Sequence, residues 1–206
     1  MCGIVGVVGN SNAVDILIQG LEKLEYRGYD SAGIYVTDAP DKGCLVKSVG
    51  RIADLRAKIS SDVKGSTGIG HTRWATHGQA TEDNAHPHTS ETGRFVLVHN
   101  GVIENYLQIK EEYLQGHKFK GQTDTEIAVH LIGKFVDEDG LSVLEALKKS
   151  LHIIQGSYAF ALVDSQAPDT IYVAKNKSPL LIGVGEGYNM VCSDAMAMIR
   201  ETSQFM

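Results

Sequence analysis

TDTEIAVHLIGKFVDEDGLSVLEALKKSL, residues 123–151, carries two helical periods back to back. Thr123-Asp124-Thr125-Glu126 has the form of a capping box, in which a Thr hydroxyl and a Glu three residues later satisfy each other's backbone donors. It opens a helix running through residues 127–136. After the Asp139-Gly140 break, Val143, Leu144, Leu147 and Leu151 form an apolar stripe, so the spacing predicts a hairpin of adjacent helices. On either side the pattern turns β-like. Residues 3–8, 32–37, 44–49 and 95–99 are short apolar runs, and residues 158–163, 170–174, 180–184 and 189–192 repeat the pattern between turn residues. Val14, Leu17, Ile18, Leu21 and Leu24 add a helix after the Ser11-Asn12 start signal; Ile52, Leu55 and Ile59 make a weaker stripe, residues 103–113 are compatible with a helix, and residues 195–206 read as a helical turn followed by Ser and Gln. The order strands, helices, strands predicts an α+β layered domain with mostly antiparallel sheets rather than a regular βαβ repeat.

The 206 residues, 43% hydrophobic and 21% charged with four prolines, suit one large folded unit, expected to span 1–206. A net charge of −6 without any basic run argues against nucleic-acid backbones and anionic membranes as partners. No apolar run approaches the roughly 18 residues needed to span a bilayer, and no signal-peptide pattern opens the chain, so a cytoplasmic protein is expected. Cys2, Cys44 and Cys192 share no CxxC spacing, which suggests neither a disulfide framework nor a zinc knuckle. The absence of a terminating signal near Met206 points to one domain of a longer chain.

Cys2 is the most informative single residue. Loss of Met1, expected when the second residue is small, leaves a thiol and a free α-amine on one residue. Their reference pKa values of about 8.5 and about 7.7–8.0 allow the amine to accept the thiol proton directly or through a water. The bland alternative is a small buried hydrophobe. HTRWATHG, residues 71–78, reads as a polar recognition loop: Arg73 offers a planar fork for a carboxylate, Thr76 a hydroxyl and Trp74 an apolar lid, a set suited to an amino acid. A solvated loop has the same composition. At His99-Asn100-Gly101 the Asn amide and the Gly N–H can form an oxyanion hole, although Asn-Gly is also a favoured hairpin turn. Asp124, an early helical acid, can alternatively bind a substrate ammonium. EYRGYDSAG, residues 25–33, packs charge and glycine into a tight connection, with Tyr26 and Tyr29 expected at core edges. His71, His77, His86, His88 and His99 lack helical i, i+4 pairing or an accompanying Cys or Glu motif, and no phosphate-binding glycine loop is present, so no metal and no cofactor are expected.

Taken in order, CGIVG, EYRGYDSAG, HTRWATHG, HNG and TDTE form a specific set, continued by KNKSPLLIGVGEG and SDAMAM. The chain resembles the class II glutamine amidotransferases of the N-terminal nucleophile hydrolase superfamily along its whole length. The resemblance implies a four-layer α/β/β/α sandwich. It further implies that Cys2 attacks the side-chain amide of L-glutamine, that Asn100 and Gly101 hold the oxyanion, and that Arg73, with Trp74, Thr76 and His77 beside it, and Asp124 bind the substrate. Arg27 and Gly28 would position the nucleophile. The wording of EYRGYDSAG and HTRWATHG is closest to the branch that delivers ammonia to fructose 6-phosphate, making glucosamine 6-phosphate on a sugar-phosphate isomerase domain of the same polypeptide, as a homodimer. The alternatives are the branches for phosphoribosylamine, asparagine or glutamate synthesis, a thiol-dependent hydrolase of other amides, and a non-catalytic module that binds an amino acid.

Overall fold

A computed structural model describes residues 2–10, 12–75 and 78–206. In chain order these give β1 (Gly3–Val8), α1 (Ala13–Leu24), β2 (Ser31–Thr37), β3 (Cys44–Val49), α2 (Ile52–Lys58), β4 (Thr67–Arg73), β5 (His88–Thr89) and β6 (Phe95–Ile103). There follow α3 (Tyr106–Tyr113), α4 (Asp124–Asp137), α5 (Val143–Ile153), β7 (Gly156–Asp164), β8 (Ile171–Asn176), β9 (Leu181–Val184), β10 (Asn189–Cys192) and β11 (Gln204–Phe205). The strands form two antiparallel sheets, β11-β9-β10-β1-β4-β2-β3 and β5-β6-β7-β8.

Period-two alternation assigns each strand face to a core. On β1, Val5 and Val7 point to α1, while Ile4 joins Ile69, Val96, Val98, Ala159, Ala161 and Val191 between the sheets. On β6 and β7, Phe95, Leu97, Phe160 and Leu162 point the other way, into the core beneath α4 and α5. Three apolar cores thus separate four layers, helix, sheet, sheet, helix, and the expected sandwich is borne out.

β4, central to the larger sheet, is the one long strand the apolar pattern missed; the two-residue strands β5 and β11 are too short to show a period. Its sequence TGIGHTR carries one apolar side chain larger than glycine, yet it pairs along its whole length with β1 and β2. The glycines are there because α1 lies close: a Cβ at Gly68 would sit 2.8 Å from Leu17 Cδ1, and one at Gly70 3.0 Å from Leu21 Cδ1. The expected recognition loop at residues 71–78 is accordingly corrected, since His71, Thr72 and Arg73 are the end of this strand.

Two further expectations change. The strand expected to stop at His99 continues through Asn100-Gly101 to Ile103, pairing Asn100 with Ala159 and Gly101 with Tyr158, so the dipeptide is not a hairpin turn and α3 begins later than its pattern suggests. The capping box at Thr123 is half formed. Thr123 Oγ1 accepts the Glu126 N–H at 3.2 Å, but the Glu126 carboxylate instead accepts the Lys120 and Gly121 N–H groups at 2.8 and 2.9 Å, tying down the approach to α4. The reciprocal box belongs to α5, between Ser142 and Glu145. Tyr26, expected at a core edge, is exposed and donates to Asp194 at 3.0 Å.

Candidate active site

The register Gly3↔Thr72 between β1 and β4 brings Cys2, just ahead of β1, beside the end of β4. The Trp74 N–H donates to Cys2 Sγ at 3.2 Å. Burial pushes the thiol pKa up and outweighs this hydrogen bond, so the environment by itself favours the protonated thiol. A nucleophile so placed needs a base at hand rather than a preformed thiolate.

Arg73 closes β4, its side chain almost wholly buried. Its guanidinium is fixed by Asp30 Oδ1 at 3.3 Å and by the carbonyls of Gly78 and Gln79 at 3.1 and 3.2 Å. Asp30 also accepts from the Ser31 hydroxyl and from the Ala75 N–H. It is the residue that sequence reading left out of the site, although it stands inside EYRGYDSAG; nothing local reveals that it pairs with an arginine 43 positions away.

Trp74 is 55% exposed and its indole lies against Gly28. At φ +114° a Cβ on Gly28 would stand 2.1 Å from the indole Cε3, so both the backbone and the close approach require glycine. Arg27 lies 3.5 Å from Asp194 Oδ2. Thr76 and His77 lie outside the described residues.

From the smaller sheet, β6 presents Asn100 and Gly101. The Asn100 amide is oriented by its neighbours: Oδ1 accepts from His71 Nε2 at 3.0 Å and Nδ2 donates to the Cys2 carbonyl at 3.3 Å. Because His71 Nε2 also faces the His99 carbonyl at 3.0 Å, both acceptors assign the proton to that nitrogen. Burial pushes the His71 pKa down to about 3, so the ring is neutral near pH 7. It stacks on His86 at 4.1 Å, whose Nδ1 accepts the His99 N–H at 3.3 Å. His99 Nδ1 lies 2.9 Å from the Thr125 hydroxyl. These imidazoles form a neutral scaffold behind Asn100, a role that no local sequence pattern signals. Gly101 adopts φ +135°, and a Cβ there would meet the Ser157 carbonyl at 2.1 Å.

Asp124 is the first residue of α4 and is 5% exposed. Its Oδ2 accepts the Ile103 N–H at 2.8 Å, which joins the helix N-terminus to the end of β6. Cys2, Arg27, Arg73, Trp74, Asn100, Gly101 and Asp124 all line one cavity of about 420 Å³, in the range of small-molecule sites. Gly28 is not part of that wall and acts beneath Trp74.

Residues 71–200 match a family described as a glutamine amidotransferase domain. The chain belongs to the glutamine amidotransferase family. Relatives named glutamine–fructose-6-phosphate aminotransferase (isomerizing) from Streptococcus pyogenes serotype M1 and Streptococcus mutans serotype c are 85% and 84% identical over all 206 residues, which cover 34% of each relative. The chain thus spans about a third of the length of these curated relatives. Among solved structures, the glutamine phosphoribosylpyrophosphate amidotransferase of B. subtilis, complexed with ADP and GMP, aligns with TM-score 0.84 at 31% identity. A structure described as the allosteric regulatory enzyme of purine biosynthesis aligns at 0.85 and 32%; each alignment covers 100% of this chain and 44% of the other. The resemblance to class II glutamine amidotransferases is borne out. None of the described helices is long and apolar enough to cross a membrane.

Proposed function

We propose that this amidotransferase domain hydrolyses L-glutamine through Cys2. The observation that carries the reading is that Arg73 and Asp124, of opposite charge and so suited to the two ends of an amino acid, share one cavity with a cysteine and an oriented asparagine amide. After removal of Met1, the α-amine of Cys2 takes the thiol proton and the sulfur attacks the glutamine δ-carbon. The carbonyl electrons move to oxygen, held by Asn100 Nδ2 and the Gly101 N–H, an arrangement worth about 3–4 kcal/mol in the transition state. Collapse breaks the C–N bond; nitrogen leaves as ammonia with the proton returned by the α-ammonium, and a thioester remains. Water, deprotonated by the same amine, then releases glutamate and the thiol.

In this reading Arg73 grips the α-carboxylate with Trp74, Thr76 and His77 around it, and Asp124 pairs with the α-ammonium. Arg27 and Gly28 steady the segment carrying the nucleophile. Identity of 82–85% to aminotransferases of fructose 6-phosphate, against 31–32% to the purine enzymes, supports residues 1–206 as the glutaminase domain of a longer cytoplasmic chain. There the ammonia would pass to a sugar-phosphate isomerase domain of the same polypeptide, in a homodimer, to form glucosamine 6-phosphate.

The test is peptide-mapped mass spectrometry after treatment with an electrophilic glutamine analogue, with and without excess glutamine. A single glutamine-protected adduct on an N-terminal Cys2 supports the scheme. Labelling of Cys44 or Cys192 instead, or no adduct on processed Cys2, overturns it.

A further inference from the structure

We propose that Glu91, His117 and His130 form a binding site for a divalent transition-metal ion of the zinc class, separate from the glutamine pocket. The three come from different elements: Glu91 from the turn between β5 and β6, His117 from the connection between α3 and α4, and His130 from the second turn of α4. One ligand atom from each lies within 4.8 Å of the others. His117 Nδ1 is 3.4 Å from His130 Nδ1 and 2.9 Å from Glu91 Oε2. Tetrahedral zinc, with bonds near 2.0–2.1 Å to nitrogen, sets its donor atoms about 3.3 Å apart, so the two imidazoles already have the required spacing. The Glu91 carboxylate, on a half-exposed side chain, has room to adjust onto the ion.

The surroundings complete the argument. His117 Nε2 faces Glu138 Oε1 at 3.2 Å, the carboxylate–imidazole–metal arrangement that fixes a histidine tautomer and strengthens its other nitrogen as a ligand. Glu91 Oε1 accepts the Lys118 N–H at 3.2 Å, which leaves Oε2 directed at the histidines. Phe119 packs on the His130 ring at 4.6 Å. The three residues wall a cavity of about 80 Å³, sized for an ion with its water rather than for a metabolite. Two imidazoles and one carboxylate favour zinc, copper or nickel over magnesium or calcium. The bound ion would pin the connection leading into Asp124 to the body of α4.

The experiment titrates Zn²⁺ into chelator-treated 206-residue chain carrying Cys2→Ala, which removes the thiol of the glutamine pocket as a competing ligand, and reads stoichiometry by calorimetry and the coordination shell by zinc-edge X-ray absorption. One zinc per chain in a sulfur-free shell containing imidazole is expected. Loss of even an outer partner weakens such sites about 10–100-fold, so Glu91→Gln and His117→Gln are each expected to weaken zinc binding by at least about tenfold. Circular dichroism, together with glutaminase activity of the same two variants with Cys2 restored, reports that they remain folded. No zinc uptake, sulfur in the shell, or unchanged affinity in both folded variants overturns the proposal.

Discussion

The two walls of the glutamine pocket are held by different physics. On the side of the larger sheet, Cys2 and Arg73 are fixed by contacts at the strand ends: a backbone N–H on sulfur, and Asp30 with two loop carbonyls on the guanidinium. On the side of the smaller sheet, Asn100, Gly101 and Asp124 are set by a buried ladder and by neutral imidazoles. In the proposed mechanism the first wall supplies the nucleophile and the cation for the α-carboxylate, and the second supplies the oxyanion donors and the carboxylate for the α-ammonium. Substitutions should therefore separate within each wall, the nucleophile and oxyanion groups appearing in kcat and the gripping groups Arg73 and Asp124 in KM.

Cys2→Ala has the largest expected effect, complete loss of hydrolysis with glutamine affinity by calorimetry little changed; retained turnover would remove the nucleophile from the first wall. Asn100→Ala is expected to lower kcat by about 10²–10³-fold with little change in KM. An effect confined to KM would remove Asn100 from the oxyanion hole and leave the second wall with binding groups alone. Asp124→Asn should weaken glutamine binding by about 2–3 kcal/mol, because a buried ammonium loses its charged partner. Equal affinity for glutamine and for an analogue without the α-amine in the unaltered protein would refute that pairing.

The buried imidazoles behind Asn100 should also make the fold acid-sensitive. Burial lowers the pKa of His71 to about 3, and those of His86, His88 and His99 from the usual value; for His99 the nearby Asp124 charge opposes the shift. The unfolded chain, with histidines near 6.5, binds these protons first. Stability is thus full above about pH 6.5 and falls as the pH drops toward the folded values, by about 1.4 kcal/mol per pH unit for each histidine titrating only when unfolded. Urea unfolding at pH 7 and pH 5 checks this, and equal stability at both would contradict it. The smallest effect is expected from Asp30→Asn, which loosens Arg73 on the first wall: about a tenfold rise in KM at unchanged kcat. A loss of kcat instead would give Asp30 a different task.

The helices were legible wherever a 3.6-residue period coincided with a start signal, as in α1, α4 and α5. β4 was not, because the contact with α1 selects glycine where a strand normally shows an apolar residue. Asn100-Gly101 reads as a turn locally, and only the nine-residue pairing with β7 overrides that preference. The charged and nucleophilic residues of the pocket could be named in advance because their chemistry is specific to residue type. Asp30 and His71 could not, since they touch other side chains across long sequence separations and have no local signature. His117 and His130 escaped notice for the same reason: they are 13 residues apart and meet Glu91 only through the fold.

Trp74, half-exposed over Gly28 at the mouth of the cavity, is the single tryptophan of the chain. Excited beyond the absorption of the eight tyrosines, the protein therefore emits from the pocket alone, and any ligand that changes the solvation of that indole can be followed by fluorescence without a label. The pocket carries its own optical reporter.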